Sequence, residues 1–433
     1  MHILVLSHEF PPDPSPQALR VGRLCRELVA NENTVQVICA ASLGRSIGAV
    51  RWNNVDVLRV DPGGIDAALM QLRPEKTQAI GAAPALQAAP HAASGSLNWK
   101  GRTVALLRRG LDQLIFPDAR ALWHGNALRA ALASARQRRP GLIIGSHEPA
   151  VGILAAHRLA VTLGVPWIAE LGDPILAPYT PRHWRQRAFK LEREVFRQAD
   201  AVVLTSHATA NLLLERHGRA RLLEVIPQGF DVPKAASDTA CDRTAADPLR
   251  IVYTGRFYPF RDPLPLLSAV EQVDGVELVI AAPELPAEVR RAVQHSAGKL
   301  QYVGMLEHAD AVALQASADL LASVGNAGMT QIPGKVLEYL GTGVPILHLC
   351  AGEHDAAAAI IREEKCGYVV AADRDEVQRL LLLLRDARRA GSMGAGLTLG
   401  ANHFSKYRWE TLGKALAVLC ERVAASGPRA AGD

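Results

Sequence analysis

Aromatic residues and paired cysteines are both scarce in this sequence. Phe, Trp and Tyr make up 5% of the 433 residues, too few for a surface that stacks nucleic-acid bases. The six cysteines are scattered and none belongs to a Cys-x-x-Cys pair. The sequence therefore predicts neither a zinc site nor a disulfide framework, and it favours a reducing compartment. No Gly-x-Gly-x-x-Gly follows the first apolar run, which argues against an NAD-dependent enzyme.

Long apolar runs are absent as well. No stretch of about 18 uncharged apolar residues occurs, so we expect no membrane-spanning helix. The longest leucine run, residues 380–384, lies between Arg379 and Arg385. Met1 is followed almost at once by a strand pattern rather than by a basic segment and an apolar helix, so we expect no signal peptide and a cytoplasmic location.

The remaining composition is typical of a globular chain. Apolar residues make up 49% and charged residues 21%, which excludes disorder of the whole chain. The length predicts about two or three domains. The net charge of +5 fits an anionic ligand or an anionic membrane surface, and we expect no nucleic-acid partner.

Short apolar runs alternate with helical patterns, which predicts doubly wound parallel α/β sheets. Residues 229–249 show no periodic apolar face and predict a linker between two halves, 1–228 and 250–404, each with its own sheet. The predicted strands are 2–7, 34–40, 55–60, 142–146, 165–170, 200–204, 222–226, 250–255, 276–281, 300–303, 318–323, 344–348 and 367–370. The helices predicted in the first half are 17–31, 120–138, 149–163, 183–198 and 206–217.

Residues 74–98 show little hydrophobic periodicity and precede a basic stretch in the first half. A loop of this length inside a domain is usually functional or mobile. The basic stretch, residues 100–139, contains nine Lys and Arg against two Asp. It predicts either a solvated helix face that covers the sheet or an interfacial patch that faces anionic lipid.

The loop after the first strand is stiffened by proline. It contains Pro14, Ser15 and Pro16 and leads into a helix, at the carboxyl end of a strand where ligands bind in open α/β sheets. Ser15 either caps that helix or contributes to a first-loop site. Arg20, on the first turn, is expected to meet a phosphate or a carboxylate.

Two further strands of the first half end in titratable residues. His147 follows the strand pattern at 142–146, and an ordinary loop histidine is the alternative to a functional one. Asp173 follows the strand pattern at 165–170. It either initiates a turn before Pro174 or serves as an acid, a base or an anchor for a hydroxyl.

In the second half, Gly255 and Arg256 end a strand pattern and Arg261 follows five residues later. Two arginines on one loop can grip a diphosphate, and a pair of solvated loop arginines is the alternative.

The strongest motif is SVGNAGMTQIPGKVLEYLGTGVPIL, residues 323–347. Backbone N–H groups at the predicted helix start could cradle a phosphate, with Lys335 adding positive charge. Glu338, one turn inside, could accept hydrogen bonds from two ribose hydroxyls, and a Glu–Lys surface pair is the alternative. The candidate nucleotide-binding residues here are Gly325, Pro333, Gly334, Lys335 and Glu338.

An Asp-x-Asp motif occurs at Asp373. It precedes a clear helix pattern, so Asp373 is predicted as its N-cap rather than as a ligand of a metal–diphosphate complex. No metal site is expected.

Together these residues resemble the retaining glycosyltransferases of family 4, whose GT-B fold consists of two Rossmann-like domains facing across a cleft. The resemblance implies an acceptor-side domain over 1–228, a nucleotide-sugar-binding domain over 250–404 and, in 405–433, a terminal helix that crosses back to the first domain. Its segments are HEFPPDPSPQALRVGRLCREL, LEREVFRQADAVVLTS with VIPQGFD, YTGRFYPFRDPLPLLSAV, PGKVLEYLGTGVPIL and FSKYRWETLGKALAVL.

The resemblance also implies residue roles. Arg256 would hold the donor diphosphate, Glu338 would bind the donor ribose, and His147 would touch the transferred sugar. Asp173 falls near the donor-facing loops of the first domain. The charge of the departing diphosphate would be stabilised without a metal or other cofactor. The groups expected to do this are Arg256, Arg261, Lys335 and the helix N-terminus.

The sequence departs from the family pattern in three places. Thr330 replaces the first Glu of a Glu-x7-Glu motif, Arg261 is the nearest cation where the family has a Lys, and residues 14–16 replace a pair of glycines. The sequence is closer to a subgroup of the family that has Pro-x-Lys before the second Glu. We therefore expect Lys335 to take over part of the role of the missing Glu. The missing Glu leaves a non-catalytic partner subunit as one alternative. A GT-B-fold sugar-nucleotide epimerase or hydrolase, which needs no acceptor, is another.

The sequence thus predicts a retaining, hexosyltransferase-type glycosyltransferase. It would move a sugar from a UDP- or GDP-sugar to a glycan or lipid-linked acceptor in cell-surface polysaccharide or glycolipid synthesis. The expected location is cytoplasmic, peripheral on the inner face of the plasma membrane.

Overall fold

The computed structural model describes residues 1–13, 15–42, 45–72, 115–117, 119–232, 244–326, 331–353 and 355–428. The chain divides into two compact units. Unit 1 comprises Met1–Leu204, Leu213–Glu224 and Leu416–Asp433, and unit 2 comprises Thr205–Leu212 and Val225–Ala415. The segment 74–98, the first part of the basic stretch and residues 233–243 of the predicted linker lie outside the described residues.

Unit 1 is built on an eight-stranded sheet. Its strands are β1 (His2–Leu6), β2 (Thr34–Ala40), β3 (Gly48–Trp52), β4 (Val55–Val60), β5 (Leu142–His147), β6 (Trp167–Leu171), β7 (Ala201–Leu204) and β8 (Leu223–Val225). They lie in the order β3-β4-β2-β1-β5-β6-β7-β8. Strand β3 runs antiparallel to β4, whereas the pairs that link β4, β2, β1, β5, β6 and β7 are parallel.

The parallel strands are apolar because helices cover both faces of the sheet. Every residue of β5 and β6 is buried. The helices that precede β9 in the chain are α1 (Pro16–Ala30), α2 (Gly64–Leu72), α3 (His124–Gln137), α4 (Val151–Leu163), α5 (Arg185–Gln198) and α6 (His207–His217), with 3-10 turns at Ala119–Trp123 and Arg182–Trp184.

Unit 2 is built on a six-stranded sheet whose neighbouring strands all pair in parallel. Its strands are β9 (Leu249–Thr254), β10 (Val276–Ala281), β11 (Leu300–Gly304), β12 (Leu320–Val324), β13 (Ile346–Cys350) and β14 (Gly367–Ala371), in the order β11-β10-β9-β12-β13-β14. Ile251 and Val252 belong to different apolar clusters, so the sheet has a core on each face.

The remaining helices surround this sheet or close the chain. They are α7 (Leu264–Gln272), α8 (Ala287–His295), α9 (His308–Ala316), α10 (Gly334–Leu340), α11 (Ala356–Glu363), α12 (Arg374–Arg389) and α13 (Trp409–Ser426), with a 3-10 turn at Ser405–Tyr407. Asp373 caps α12 by accepting hydrogen bonds from the backbone N–H groups of Asp375 and Glu376, which confirms its predicted role. No helix in the described ranges is long and apolar enough to span a membrane.

Each of the thirteen predicted strands is present, with ends within two residues of those expected. Strand β3 was not predicted, because its residues alternate between exposed and half-buried positions instead of forming an apolar run. Among the parallel strands of each sheet the chain order reverses once, between β1 and β5 in unit 1 and between β9 and β12 in unit 2. Such switch points are where open α/β sheets bind ligands, at the carboxyl ends of the strands.

Candidate functional site

The switch point of unit 2 brings the loop after β9 against the first turn of α10. Gly255 follows β9 with a φ of 144°, a backbone conformation that glycine adopts readily and other residues rarely do. A Cβ placed on Gly255 would lie 3.8 Å from Cγ of Lys335. Two of the predicted site residues, distant in sequence, therefore meet here.

The carboxylate of Glu338 is fixed at this switch point by two donors. Nζ of Lys335 lies 2.8 Å from both of its oxygens, and Nε2 of Gln315 donates to Oε1 at 3.1 Å. The Lys335 side chain is 36% exposed and that of Glu338 is 25% exposed. The Glu–Lys pair considered as an alternative is thus present, and a ligand can still reach both groups.

Buried hydrogen bonds tie α9 and α10 to the end of β9. The backbone N–H of Thr254 donates to the hydroxyl of Tyr339 at 3.1 Å, and Gln315 donates to the hydroxyl of Thr254 at 2.9 Å. Burial raises the pKa of Tyr339, so its phenol stays protonated and neutral. Gln315 and Tyr339 were missed by the sequence analysis, because neither belongs to a local pattern of charged residues.

The two loop arginines are not equivalent. Arg256 is exposed, and its backbone carbonyl accepts a hydrogen bond from the hydroxyl of Tyr253 at 2.9 Å. Arg261 instead donates from Nε to Oδ1 of Asn326 at 2.7 Å and lies 4.9 Å above the ring of Tyr258. Arg261 therefore braces the loops after β9 and β12 against each other, whereas Arg256 is presented to solvent.

The loop after β12 is packed tightly at its start. A Cβ on Gly325 would lie 2.1 Å from Oδ2 of Asp355 and 2.9 Å from the backbone nitrogen of Ala351, so only glycine fits there without a shift. Pro333 is buried immediately before α10, and Gly334 at its start is exposed. Thr330 lies outside the described residues.

In unit 1, α1 contributes to a buried polar network. Nε of Arg20 donates to Oε1 of Glu170 at 2.7 Å, and both side chains are at most 3% exposed. Gln17 and Ser146 donate to Oε2 of the same carboxylate at 2.7 and 2.8 Å. Of the two partners expected for Arg20, the structure shows the carboxylate. Gln17 was missed, although a glutamate inside an apolar strand signals that a buried partner is needed.

The first loop joins this network through α1. Ser15 accepts a hydrogen bond from the backbone N–H of Ala18 at 3.0 Å and caps α1, with Pro16 as the first helical residue. The capping alternative is thus the one observed for Ser15. Pro14 lies outside the described residues.

The other titratable residues of unit 1 follow β5 and β6. His147, the last residue of β5, is buried. Oδ2 of Asp173 lies 2.9 Å from the hydroxyl of Tyr179, which is 3.0 Å from Oε1 of Glu148. Burial raises the pKa of Asp173 well above its ordinary value, and the nearby Glu148 carboxylate adds to the rise. Asp173 therefore forms part of a carboxyl–phenol–carboxyl chain, which the sequence did not predict.

The described residues contain no group of three His, Cys, Asp or Glu side chains placed to hold a metal ion.

Comparison with known proteins identifies the family. The sequence profile of Glycosyltransferase Family 4 matches residues 17–234, just over half of the chain. The chain belongs to this family. The family 4 match begins in α1 and covers the network of unit 1.

One relative is the GDP-mannose-dependent monoacylated alpha-(1-6)-phosphatidylinositol monomannoside mannosyltransferase of Corynebacterium glutamicum. It is 25% identical to this chain over an alignment of length 245, which covers 52% of this chain and 62% of the relative. The match thus spans less than two thirds of that protein.

Two solved structures share the fold. Sucrose-phosphate synthase from Thermosynechococcus elongatus superposes with a TM-score of 0.69 at 16% identity, over 98% of this chain and 99% of that one. Anabaena HepE in complex with UDP gives a TM-score of 0.59 at 16% identity, over 98% of this chain and 100% of that one. These likenesses and the two mostly parallel sheets show that this family 4 chain has the GT-B fold, as the sequence predicted.

Proposed function

We propose that this family 4 chain is a glycosyltransferase that moves a sugar from a nucleotide-diphosphate sugar to a glycan or lipid-linked acceptor. The observation that carries the proposal is the convergence at the switch point of unit 2. Exposed Arg256, half-exposed Lys335 and the fixed carboxylate of Glu338 lie at the carboxyl ends of β9 and β12. Cations suit a diphosphate, and a carboxylate suits the vicinal hydroxyls of a ribose.

The comparisons support this class of donor. The Corynebacterium relative is described as GDP-mannose-dependent, and HepE, which shares the fold, was solved with UDP. We therefore propose a GDP- or UDP-sugar as co-substrate.

Departure of the diphosphate builds negative charge on the leaving oxygen, and preorganised cations stabilise that charge. Arg256 is free to approach the diphosphate from the loop after β9. Lys335 starts in its ion pair with Glu338, so a bound diphosphate shares this ammonium with the carboxylate. We propose that these groups act without a metal ion, while Arg261 keeps the two loops in place.

Retention of the anomeric configuration is proposed on the family resemblance. The acceptor hydroxyl attacks the anomeric carbon on the face that the diphosphate leaves. The new C–O bond forms as the old C–O bond to the phosphate breaks, and the hydroxyl proton passes to the departing phosphate oxygen. In this scheme His147 contacts the transferred sugar and Asp173 lies near it.

A thermal-shift panel tests the donor site. UDP, GDP, ADP and CDP and their sugar conjugates are compared, each with and without EDTA. A ligand at a hundred times its Kd adds about 2.7 kcal/mol of stability, which is readable as a rise in Tm. We expect a rise with one nucleotide, unchanged by EDTA and lost in Arg256→Ala, with Arg290→Ala on α8 as the exposed-arginine control.

Turnover separates the proposal from its alternatives. Transfer to an acceptor, with the anomer of the product determined by NMR, supports a retaining transferase. Release or conversion of the sugar without an acceptor would indicate a hydrolase or epimerase. Tight nucleotide binding without turnover would indicate a partner subunit.

We also propose a cytoplasmic enzyme at the inner face of the plasma membrane, because the basic stretch 100–139 suits an anionic surface.

A further inference from the structure

Two buried histidines lie at the carboxyl ends of the two strands that form the switch point of unit 1. Strands β1 and β5 pair in parallel, with Leu6 opposite Gly145. His8 and His147 each lie two residues beyond that pair on their own chain segments. They therefore flank the place where the strand order of this sheet reverses, which is where a ligand is expected in an open α/β sheet.

Both ring nitrogens of His8 and Nδ1 of His147 lack partners in the part of the chain that the structure describes. His8 is 8% exposed, and neither its Nδ1 nor its Nε2 is hydrogen-bonded. His147 is 7% exposed, and its buried Nδ1 is also unpartnered. Because buried polar atoms are almost always hydrogen-bonded in native proteins, unpartnered ones at a ligand-binding edge point to a ligand that completes them.

The surroundings of His8 select an uncharged ligand. Its ring lies edge-on to the ring of Trp123, with centroids 5.3 Å apart, and Trp123 is fully buried. Burial, and to a smaller extent the charge of Arg120, lower the pKa of His8 to about 3. That arginine is ion-paired with Glu9 at 3.3 Å. The imidazole is therefore neutral and presents one donor and one acceptor nitrogen.

We propose that His8 binds a hydroxyl group of a sugar at the switch point of unit 1, beside His147. A sugar hydroxyl both donates and accepts a hydrogen bond, so it can match the neutral imidazole, whereas a phosphate only accepts. The inference rests on the proposed glycosyl transfer and adds to it a specificity-determining residue. The sugar belongs either to the donor or to the acceptor, and the experiment distinguishes the two.

Three variants separate the hydrogen bonding of the ring nitrogens from the packing of the ring. His8→Phe keeps an aromatic ring against Trp123 but removes both nitrogens, and His8→Gln keeps a donor and an acceptor. His157→Phe is the matched control, because the ring of His157 on α4 also packs on a tryptophan, Trp167, at 5.2 Å. We expect Tm of H8F to equal or exceed that of the wild type, because a buried unpartnered polar group is removed.

The binding measurements use GDP, UDP, GDP-mannose, UDP-glucose and the methyl α-glycosides of mannose and glucose. If the donor sugar contacts His8, H8F binds the nucleotide alone as the wild type does but binds the sugar nucleotide about five- to tenfold more weakly. If the acceptor contacts His8, donor affinity is unchanged and the affinity for a methyl glycoside falls by that factor. In both cases H8Q recovers part of the loss and H157F shows none.

Several results would overturn the proposal. H8F could bind every sugar as the wild type does, or H8F and H8Q could lose Tm and binding together, as a packing role requires. The proposal is also contradicted if the wild type binds nucleotides, but binds no sugar nucleotide more tightly than the nucleotide alone and binds no methyl glycoside. A wild type that binds no nucleotide at all contradicts the proposed function instead, so the two failures are distinguishable.

Discussion

Nζ of Lys335 lies 2.8 Å from both carboxylate oxygens of Glu338, one turn further along α10. The pair joins two groups with opposite electrostatic effects on a diphosphate, since the ammonium attracts it and the carboxylate repels it. Gln315 also donates to the carboxylate at 3.1 Å, so Glu338 has a second donor besides Lys335. The pair is therefore the most informative place to test the donor site.

Substitution of each member separates their roles. We expect Lys335→Met to weaken binding of the preferred nucleoside diphosphate about tenfold or more, because a charge-assisted contact is lost. We expect Glu338→Gln to weaken it to a similar extent, because the proposed role of the carboxylate is to accept hydrogen bonds from the ribose hydroxyls. Isothermal titration calorimetry measures both.

The direction of the Glu338→Gln effect is decisive. If Glu338 only neutralises Lys335, its replacement frees the ammonium, and nucleotide binding becomes tighter instead of weaker. Lys299→Met is the matched control, because Lys299 pairs with exposed Asp274 at 2.9 Å just before β11, at the opposite ends of the strands. The affinity of Lys299→Met for the nucleoside diphosphate is expected to equal that of the wild type.

The Arg20–Glu170 pair of unit 1 is expected to act on stability. Removal of one partner from a buried ion pair typically costs about 3–5 kcal/mol, because the other charge stays buried without compensation. We therefore expect Arg20→Met to lower the free energy of unfolding by about that amount in urea titrations. Arg374→Met, which breaks an exposed pair with Asp375, is expected to leave it close to the wild-type value, because solvent screens an exposed pair. Full stability in Arg20→Met, combined with lost ligand binding, would contradict this account.

The fold could be predicted because its signals are local. A run such as Leu142–His147 is apolar since the whole strand is buried, and this pattern is visible without any partner. Strand β3 lacked that signal, because an edge strand that is half-exposed does not need an apolar sequence. The cap of Asp373 was predictable for the same reason, since its partners are two and three residues away.

The site was predictable in its residue types but not in its pairings. Position after a strand identified Asp173 and Arg261, and position at the start of a helix identified Arg20, yet Arg20 and Arg261 have partners far away in sequence. Glu170 is 150 residues from Arg20, and Asn326 is 65 residues from Arg261. Whether a cation is available to a ligand depends on such contacts, which only the folded chain creates.

The basic stretch predicts binding to anionic membranes. Arg136 and Arg138, at the end of α3, are exposed, and each basic residue near an anionic surface contributes about 1 kcal/mol. We expect charge reversal of both, together with Arg108 and Arg109 outside the described residues, to abolish binding to vesicles with anionic lipid. Sedimentation with such vesicles and with neutral ones measures it.

Reversal of Arg290 and Arg291 on α8, which are also exposed, is the control for net charge. Unchanged vesicle binding after reversal of the basic stretch would contradict the membrane role, as would an equal loss in the control.

Asp173 makes the stability of unit 1 depend on pH. Burial, and then the carboxylate of Glu148, raise the pKa of Asp173 in the folded state, whereas in the unfolded chain it is about 3.9. The folded state therefore binds this proton more tightly than the unfolded state does. Its stabilising effect is complete below the unfolded pKa and is lost as pH rises through the folded pKa. We expect Asp173→Asn to raise Tm at pH 8 and to have no such advantage near pH 4.

The comparison requires Tm of both proteins across this range, with Asp375→Asn as a control, because exposed Asp375 pairs with Arg374 and its pKa is lowered. Tyr179→Phe removes the hydroxyl that lies between Asp173 and Glu148. Since that hydroxyl lowers the pKa of Asp173, its loss should steepen the fall in Tm with rising pH. Parallel Tm curves for Asp173→Asn and the wild type would show that the carboxyl of Asp173 titrates as an ordinary surface group.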